Sequence, residues 1–316
     1  LDATAVSPAA LAGKARTTFF PLPAPDSFYT GNSEPVEHVG LPRDYYAWTW
    51  GDALFVVIDP YWHSSVQVDA EPGGGKPVQG GAKTGKGGVK NPRDMWGITL
   101  GDTQYHWLEK TLRESRAKFK FVFCHHVLGT GRGGIECAER FEWGGRDNRG
   151  VDAFAQHRPG WDKPIQALFK ETGVTIFFQG HDHLYARQEL DGVVYQEVPN
   201  PADPTFTAFN RDAYRSGDIF PNSGHLRVTV SPQGVRVDYV RSLRPGDEKD
   251  GLANATIVHS YTIGGDGKAE SRAQPATPQA QPDPSEGKPA APDTRKGQGR
   301  KKDAKGRGGE KNNGEE

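Results

Sequence analysis

The chain has 316 residues, enough for two ordinary domains or for one large α/β domain with additional segments. Its 39 basic and 40 acidic side chains leave a net charge of −1, which excludes an overall electrostatic attraction to nucleic acid or to an anionic membrane. The cysteines, Cys124 and Cys137, are too few for a disulfide scaffold or a cysteine-rich zinc site, and no long apolar run predicts a membrane span.

The N-terminal part begins with Leu1 and lacks the charged, apolar and small-residue series of an export signal, so we expect either a processed N-terminus or part of a longer sequence. Further along, residues 68–91 contain eight glycines among lysines. This stretch lacks the G-x-x-x-x-G-K-[ST] spacing, and no apolar strand precedes it. It is therefore predicted to be a flexible surface insertion and not a phosphate-binding loop.

Short apolar runs and helical patterns make up the middle of the chain. The runs Leu54–Ile58, Phe121–Cys124 and Val174–Phe178 are rich in β-branched or aromatic residues and predict buried strands. One helix is predicted from Asp102, as its capping residue, to about residue 115, and another from Pro164 until Gly173 ends it. Helices among buried strands are typical of a layered α/β fold.

The last part of the chain predicts antiparallel strands followed by a tail. Four strands are predicted at Val193–Val198, Leu226–Val230, Val235–Val240 and Thr256–Ile263, with a short turn at residues 231–234. Residues 264–316 contain no Val, Ile, Leu, Met, Phe, Trp, Tyr or Cys. Such a segment buries too little apolar surface to offset its ordering entropy, so residues 1–263 are predicted to be the folded domain and residues 264–316 a disordered tail.

Histidines follow two of the predicted buried strands. His125 and His126 come after one strand, and Gly180-His181-Asp182-His183 comes after another. The carboxyl ends of strands in α/β sheets are where ligands bind. Because residues two apart in an extended segment face the same way, His181 and His183 are predicted to face one site. At most one of the adjacent pair, His125 or His126, is expected to join them there. Asp182 is predicted to point away and to hold a ring nitrogen or the turn.

These segments resemble the last two motif blocks of the calcineurin-like metallophosphoesterases, near the purple acid phosphatase branch. The matching residues are Gly180–His183 after a buried strand, and Phe123–His126 after a helix that contains Gln104, Trp107, Leu108 and Leu112. Trp50–Asp59 is similar to the family's strand before that helix. The resemblance covers roughly residues 45–263 in the correct order. It implies a layered metallophosphoesterase β-sandwich flanked by helices.

The resemblance also implies hydrolysis of phosphate esters at a centre of two divalent or trivalent ions, Fe, Zn or Mn. His125 and His181 would share one metal, and His183 would bind the other. His126, with its ring turned away from the metals, and Asp182 would contact the ligand residues and hold them in place without binding a metal. The residues do not establish where the protein is located, and the resemblance favours an exported or cell-envelope protein.

Three further side chains are candidates for contact with the substrate phosphate. Arg132 lies in the glycine-rich loop after His126, and Tyr185 and Arg187 follow the second histidine motif. Arginine is well suited to binding phosphate oxygens. Arg132 can equally be a solvated loop residue, and Arg187 can equally be a surface charge on a strand.

The family's earlier blocks, D-x-H, G-D-x-x-[DY] and G-N-H-[DE], do not occur in working form. Gly31–Glu34 has the shape of the third block with Ser33 in place of histidine, and Gly101–Tyr105 resembles the second block but is out of order. Both are interpreted as chance matches. We therefore expect that the N-terminal half of the domain is missing, and that this chain alone binds at most one ion weakly and has no appreciable phosphatase turnover.

Two alternatives stay open at this point. One is a non-enzymatic metal-binding or surface module in which the histidines are remnants. The other is a different metallohydrolase, such as a diesterase or a lactone-cleaving enzyme. Metal titration combined with assays on these substrate classes distinguishes them. The sequence does not identify the substrate.

Overall fold

The computed structural model describes residues 7–66, 68, 95–248, 252–264 and 269–272. The α-helices within them are α1 (Pro8–Phe19), α2 (Asp102–Glu114), α3 (Phe141–Gly144), α4 (Phe154–His157) and α5 (Ile165–Thr172). Short 3-10 helices lie at Met95–Gly97, Leu128–Thr130, Gly134–Cys137 and Arg211–Ala213. No helix of this described part has both the length and the apolar character needed to cross a membrane.

The strands form two sheets. They are β1 (Thr30–Gly31), β2 (Tyr46–Trp50), β3 (Ala53–Val57), β4 (Phe119–Phe123), β5 (Ile176–Gln179), β6 (Tyr185–Leu190), β7 (Val193–Glu197), β8 (Asp218–Phe220), β9 (Gly224–Ser231), β10 (Gly234–Arg241), β11 (Ile257–Gly264) and β12 (Ala269–Arg272). The larger sheet has the order β1-β2-β3-β4-β5-β7-β6-β8 and the smaller one β12-β11-β10-β9. Strands β3, β4, β5 and β7 are parallel to one another, whereas the smaller sheet is antiparallel throughout. The predicted α/β fold class is confirmed.

Each face of the larger sheet carries its own apolar layer. On one face, α2 and α5 contribute an inward stripe, including Leu108, Leu112 and Phe169, that packs with Val122 and Phe177 of the sheet. The other face packs against the smaller sheet, through a cluster made of Phe119, Phe121, Ile176, Phe178, Val194, Val235, Val237, Tyr261 and Ile263 with others. Fully burying a large apolar side chain contributes about 1.5 to 3 kcal/mol, so these layers hold helices and sheets together.

The start of α2 differs from its prediction in one detail. The capping position is Gly101, whose φ of 79° suits a residue without a Cβ atom. Asp102, predicted as the cap, is the first helical residue, and its Oδ1 accepts a hydrogen bond of 2.7 Å from Trp161 Nε1. The end of α5 agrees with its prediction, because Gly173 adopts the left-handed conformation that ends a helix.

Two predicted loose segments fall largely outside the described residues. In the glycine-rich stretch at residues 68–91, Val68 is described and is buried, and residues 69–91 lie outside the described part of the chain. One part of the predicted tail differs from the prediction of disorder: β12 pairs with β11 through a ladder of backbone hydrogen bonds. That ladder needs no apolar side chain, which is why composition did not indicate it. The chain divides into two units, Leu1–Ala276 and Thr277–Glu316, and the second lies wholly outside the described residues.

Candidate metal centre

The site lies where three parallel strands end at one edge of the larger sheet. Val57 of β3 pairs with Phe123 of β4, and Phe123 pairs with Phe178 of β5. The pairing continues past the strand ends, since the Gly180 N–H donates a hydrogen bond of 2.8 Å to the His125 carbonyl. This bond holds together the two loops that carry the histidines.

Three imidazoles converge above these strand ends. The Nδ1 atom of His181 is 3.3 Å from Nε2 of His125, and the ring of His126 stacks on that of His181 with centroids 4.0 Å apart. One ring nitrogen from each of the three lies within 4.8 Å of the others. Neutral imidazole is a ligand suited to Zn, Fe or Mn. The donor set therefore fits one first-row transition metal ion.

The position of His126 corrects the sequence prediction, which turned its ring away from the site. That prediction assumed the alternation of an extended strand, but β4 ends at Phe123, before the histidines. His181 and His183 likewise have positive φ angles, 86° and 52°, and are not extended. The Tyr61 hydroxyl bonds to Nδ1 of His126. Such an outer contact orients the imidazole of a metal-binding histidine.

His183 lies in the same cavity but outside this three-histidine group. The cavity has a volume of about 630 Å³, and His125, His181 and His183 all line it. The ligand atoms within 4.8 Å of one another come from the other three histidines. Asn222 Nδ2 donates a hydrogen bond to the His183 carbonyl, which anchors this part of the loop.

Asp182 is fully buried and binds the loop after His126. Its Oδ1 pairs with Arg132 Nη1 at 2.9 Å, and its Oδ2 accepts hydrogen bonds from the Gly133 N–H at 2.9 Å and the Tyr214 hydroxyl at 2.8 Å. It is therefore held by this loop and by Tyr214. Arg132, predicted to contact phosphate, has its guanidinium on Asp182.

Tyr185 and Arg187 are displaced from the positions that the sequence analysis gave them. Tyr185 is fully buried between the sheets, with its hydroxyl 2.8 Å from Nδ1 of His259 on β11. The Arg187 guanidinium lies 5.1 Å from the Tyr261 ring and pairs with Glu189 at 2.9 Å. Neither lines the histidine cavity. The reason is that both belong to β6 and project from the sheet toward the smaller sheet, not toward its carboxyl-terminal edge.

An acidic wall of the same cavity was not among the predicted site residues. Asp44 and Asp59 line the same cavity, with exposed fractions of 1% and 8%, together with Arg16 from α1. Arg16 Nη1 is 2.9 Å from Asp59 Oδ2. Burial raises the pKa of Asp59, against the lowering effect of the Tyr61 N–H and of the Arg16 guanidinium. The signal available in the sequence was the apolar run of β3 ending directly in an aspartate.

The segment Gly31–Glu34, interpreted as a chance match, lies next to this wall. Asn32 directly follows β1 and is buried, and its Nδ2 donates a hydrogen bond of 2.7 Å to Asp44 Oδ1. Gly101–Tyr105, the other match interpreted as chance, begins α2.

Comparison with known proteins yields structural similarity without sequence similarity. No protein-family model matches the chain, and no curated protein sequence does. The structure of PhoD superimposes with a TM-score of 0.51 at 16% identity, covering 84% of this chain and 49% of that one. The chain thus spans about half the length of the PhoD structure. This similarity concerns the fold.

Two further structures are more distant. The purple acid phosphatase PPD1 from yellow lupin (Lupinus luteus) seeds has a TM-score of 0.40 at 15% identity, covering 84% of this chain and 38% of its own. GAP50, the anchor in the inner membrane complex of Plasmodium, has a TM-score of 0.38 at 12% identity, covering 70% of this chain and 53% of its own. TM-scores this low do not establish a shared fold with either protein.

Proposed function

We propose that this protein is a metal-dependent hydrolase of phosphoric esters. The observation that carries the proposal is the convergence of His125, His126 and His181 above the carboxyl ends of β4 and β5. Their ring nitrogens have the spacing and chemistry of metal ligands, and His125 and His181 line a cavity large enough for a small phosphate ester. The motif resemblance and the PhoD-like fold support the same assignment.

Within this proposal, the centre holds two ions, of Fe, Zn or Mn. His125, His126 and His181 hold one ion, and His183 serves the second ion from the same cavity. Bound ions of this kind supply Lewis acidity toward the phosphoryl oxygens. Within the cavity, Arg16 and the loop 199–201 would contact the ester, whereas Arg132 is held by Asp182 and does not line the cavity.

The first prediction is that His181→Ala lowers the affinity for Mn²⁺ or Zn²⁺ by at least about tenfold, because it removes a ring that contacts both other histidines. Metal binding is measured by equilibrium titration of the 316-residue chain. His106→Ala is the matched control, since His106 is an exposed histidine on α2 away from the cavity. Equal affinity of His181→Ala and the unchanged chain would contradict the proposed metal centre.

Turnover is tested on the same proteins with a phosphate monoester, a phosphate diester and a lactone. We expect slow hydrolysis at best, confined to the phosphate esters and lost in His181→Ala, because three imidazoles without a carboxylate leave an ion short of ligands. Metal binding without any turnover would favour a non-enzymatic metal-binding module. Preference for the lactone would indicate a different metallohydrolase.

A further inference from the structure

A row of polar residues crosses the carboxyl-terminal edge of the larger sheet. The register ends at the pairs Tyr46–Val57 and Val57–Phe123, and two residues beyond these pairs stand Asp44, Asp59 and His125, which all line the cavity. A hydrogen bond of 3.0 Å from the Ile58 N–H to the Phe123 carbonyl maintains this register. Neighbouring strands are about 4.8 Å apart, so the segments that carry the two carboxylates and the imidazole are neighbours at this edge of the sheet.

The two carboxylates are buried, and they differ in their partners: both oxygens of Asp59 accept hydrogen bonds, Oδ1 from the Tyr61 N–H at 2.6 Å. Arg16 Nη1 pairs with Asp59 at 2.9 Å, while its Nη2 donates hydrogen bonds to the carbonyls of Arg43 and Asp44 at 3.2 and 3.4 Å. Asp44 Oδ1 accepts from Asn32, but Asp44 Oδ2 has no hydrogen-bond partner within the described part of the chain. A buried carboxylate oxygen without a partner is costly, and Asp44 lines the cavity that the histidines also line.

One guanidinium thus pairs with one of two buried carboxylates that line the cavity together with His125 and His181. Carboxylate oxygens with imidazole nitrogens form a donor set that suits Mn²⁺, Fe or Zn²⁺ better than imidazoles alone. The Asp59 carboxylate is outside the group of ligand atoms within 4.8 Å, and its Oδ2 is bonded to Arg16. This is the arrangement expected when an internal counter-ion holds a carboxylate away from a neighbouring ligand.

We propose that Asp59 and Asp44 are the carboxylate half of a divalent-cation site completed by His125, and that the Arg16 guanidinium is an internal counter-ion that competes with the cation for Asp59. The inference rests on the proposed metal-dependent function of the same cavity. It adds two ligand positions and a residue of α1 that limits metal loading.

The test is Mn²⁺ binding by the full 316-residue chain, followed by the loss of the free-ion electron paramagnetic resonance signal. Arg16→Gln is expected to raise the affinity for Mn²⁺ about tenfold, because a positive charge next to the site is removed. Asp59→Asn is expected to lower the affinity about tenfold, and Arg16→Gln combined with Asp59→Asn is expected to show no gain. Arg113→Gln, which removes an ion-paired arginine far from the cavity, is expected to leave the affinity unchanged.

Circular dichroism establishes that each variant is folded. If Arg16→Gln does not fold, Asp59→Asn and Asp44→Asn, which keep the side-chain volume, carry the test through their loss of affinity. Unchanged affinity in folded Asp59→Asn and Arg16→Gln, with binding abolished by His181→Ala, would overturn the inference and leave the proposed function standing. Lowered affinity in Asp59→Asn with no effect of His181→Ala would overturn the histidine centre instead. Absence of Mn²⁺ binding by every variant would overturn both.

Discussion

The positions of the histidine side chains depend on where the strands before them end. Alternation of side chains holds inside β4 and β5, but His125, His126 and His181 follow the last strand residues. The backbone there turns, which allows adjacent histidines to reach one cluster. Below the cluster, Glu197 at the end of β7 is fully buried, and its Oε1 accepts a hydrogen bond of 2.9 Å from the Asp182 N–H.

Glu197 predicts a pH-dependent stability. Burial, and then the negative charge of Asp182, raises the pKa of Glu197 well above its ordinary value. The folded protein therefore retains a proton that the unfolded chain has released, and the free energy of unfolding falls as the pH rises through that range. Glu197→Gln keeps an acceptor for the Asp182 N–H and removes this penalty.

We expect the melting temperature of Glu197→Gln, relative to the unchanged chain, to increase between about pH 5 and about pH 8. Thermal denaturation in matched buffers measures the difference. Glu114→Gln, at an exposed position of α2, is the control and should show no such trend. A difference that does not vary with pH would show that Glu197 does not carry an elevated pKa in the folded protein.

At the scale of elements, Lys120 on β4 joins two helices to the sheet. Its buried ammonium donates hydrogen bonds of 2.7 Å to the carbonyl of Leu112 in the last turn of α2 and of 2.7 Å to that of Thr172 at the end of α5. The last carbonyls of a helix lack intrahelical partners and carry partial negative charge. One cation therefore satisfies both helix ends, although burial lowers the pKa of Lys120.

Lys120→Met is expected to lower the free energy of unfolding by about 1 to 3 kcal/mol, because it keeps the apolar stem but leaves two carbonyl groups without their donor. Denaturant titration measures the change. Lys110→Met on the exposed surface of α2 is the comparison variant and should change stability little. Equal stability of the two variants would mean that water satisfies these helix ends.

For the whole molecule, contacts between the two sheets set the arrangement. Tyr185 of the larger sheet stacks on Tyr239 of β10 with centroids 4.7 Å apart and bonds to His259 of β11. At the far edge of the smaller sheet, β12 pairs with β11 from Ser260 to Ile263. The residues after Arg272 contain no large apolar side chain.

Two truncations are expected to differ for this reason. Ending the chain after Arg272 should leave the melting temperature unchanged, since the removed residues have no large apolar group to bury. Ending it after Gly264 also removes β12 and its ladder to β11, and should lower the melting temperature. Differential scanning calorimetry compares the two proteins. A drop in both would show that residues beyond Arg272 contribute to stability.

Local patterns were sufficient for the elements that carry the histidines. The apolar runs that predict β3, β4 and β5, the amphipathic stripe of α2 and the glycine at the end of α5 are confirmed, because burial and capping depend on residues close together in the chain. The edge strands β1 and β8, and their neighbours β2 and β6, were not predicted. An edge strand takes its structure from the ladder of its neighbour more than from its own pattern.

Which side chains line the cavity depends instead on the pairing of strands that are distant from one another in the sequence. Asp44, Asp59 and His125 line one cavity because β2, β3 and β4 are neighbours in the larger sheet, and Arg16 reaches that cavity from a separate helix. Tyr185 and Arg187 follow the histidine motif directly in sequence, yet β6 directs them between the sheets. The sequence by itself determines which nearby residues share a strand or a helix face. Strand register and sheet packing determine which side chains from distant parts of the chain meet.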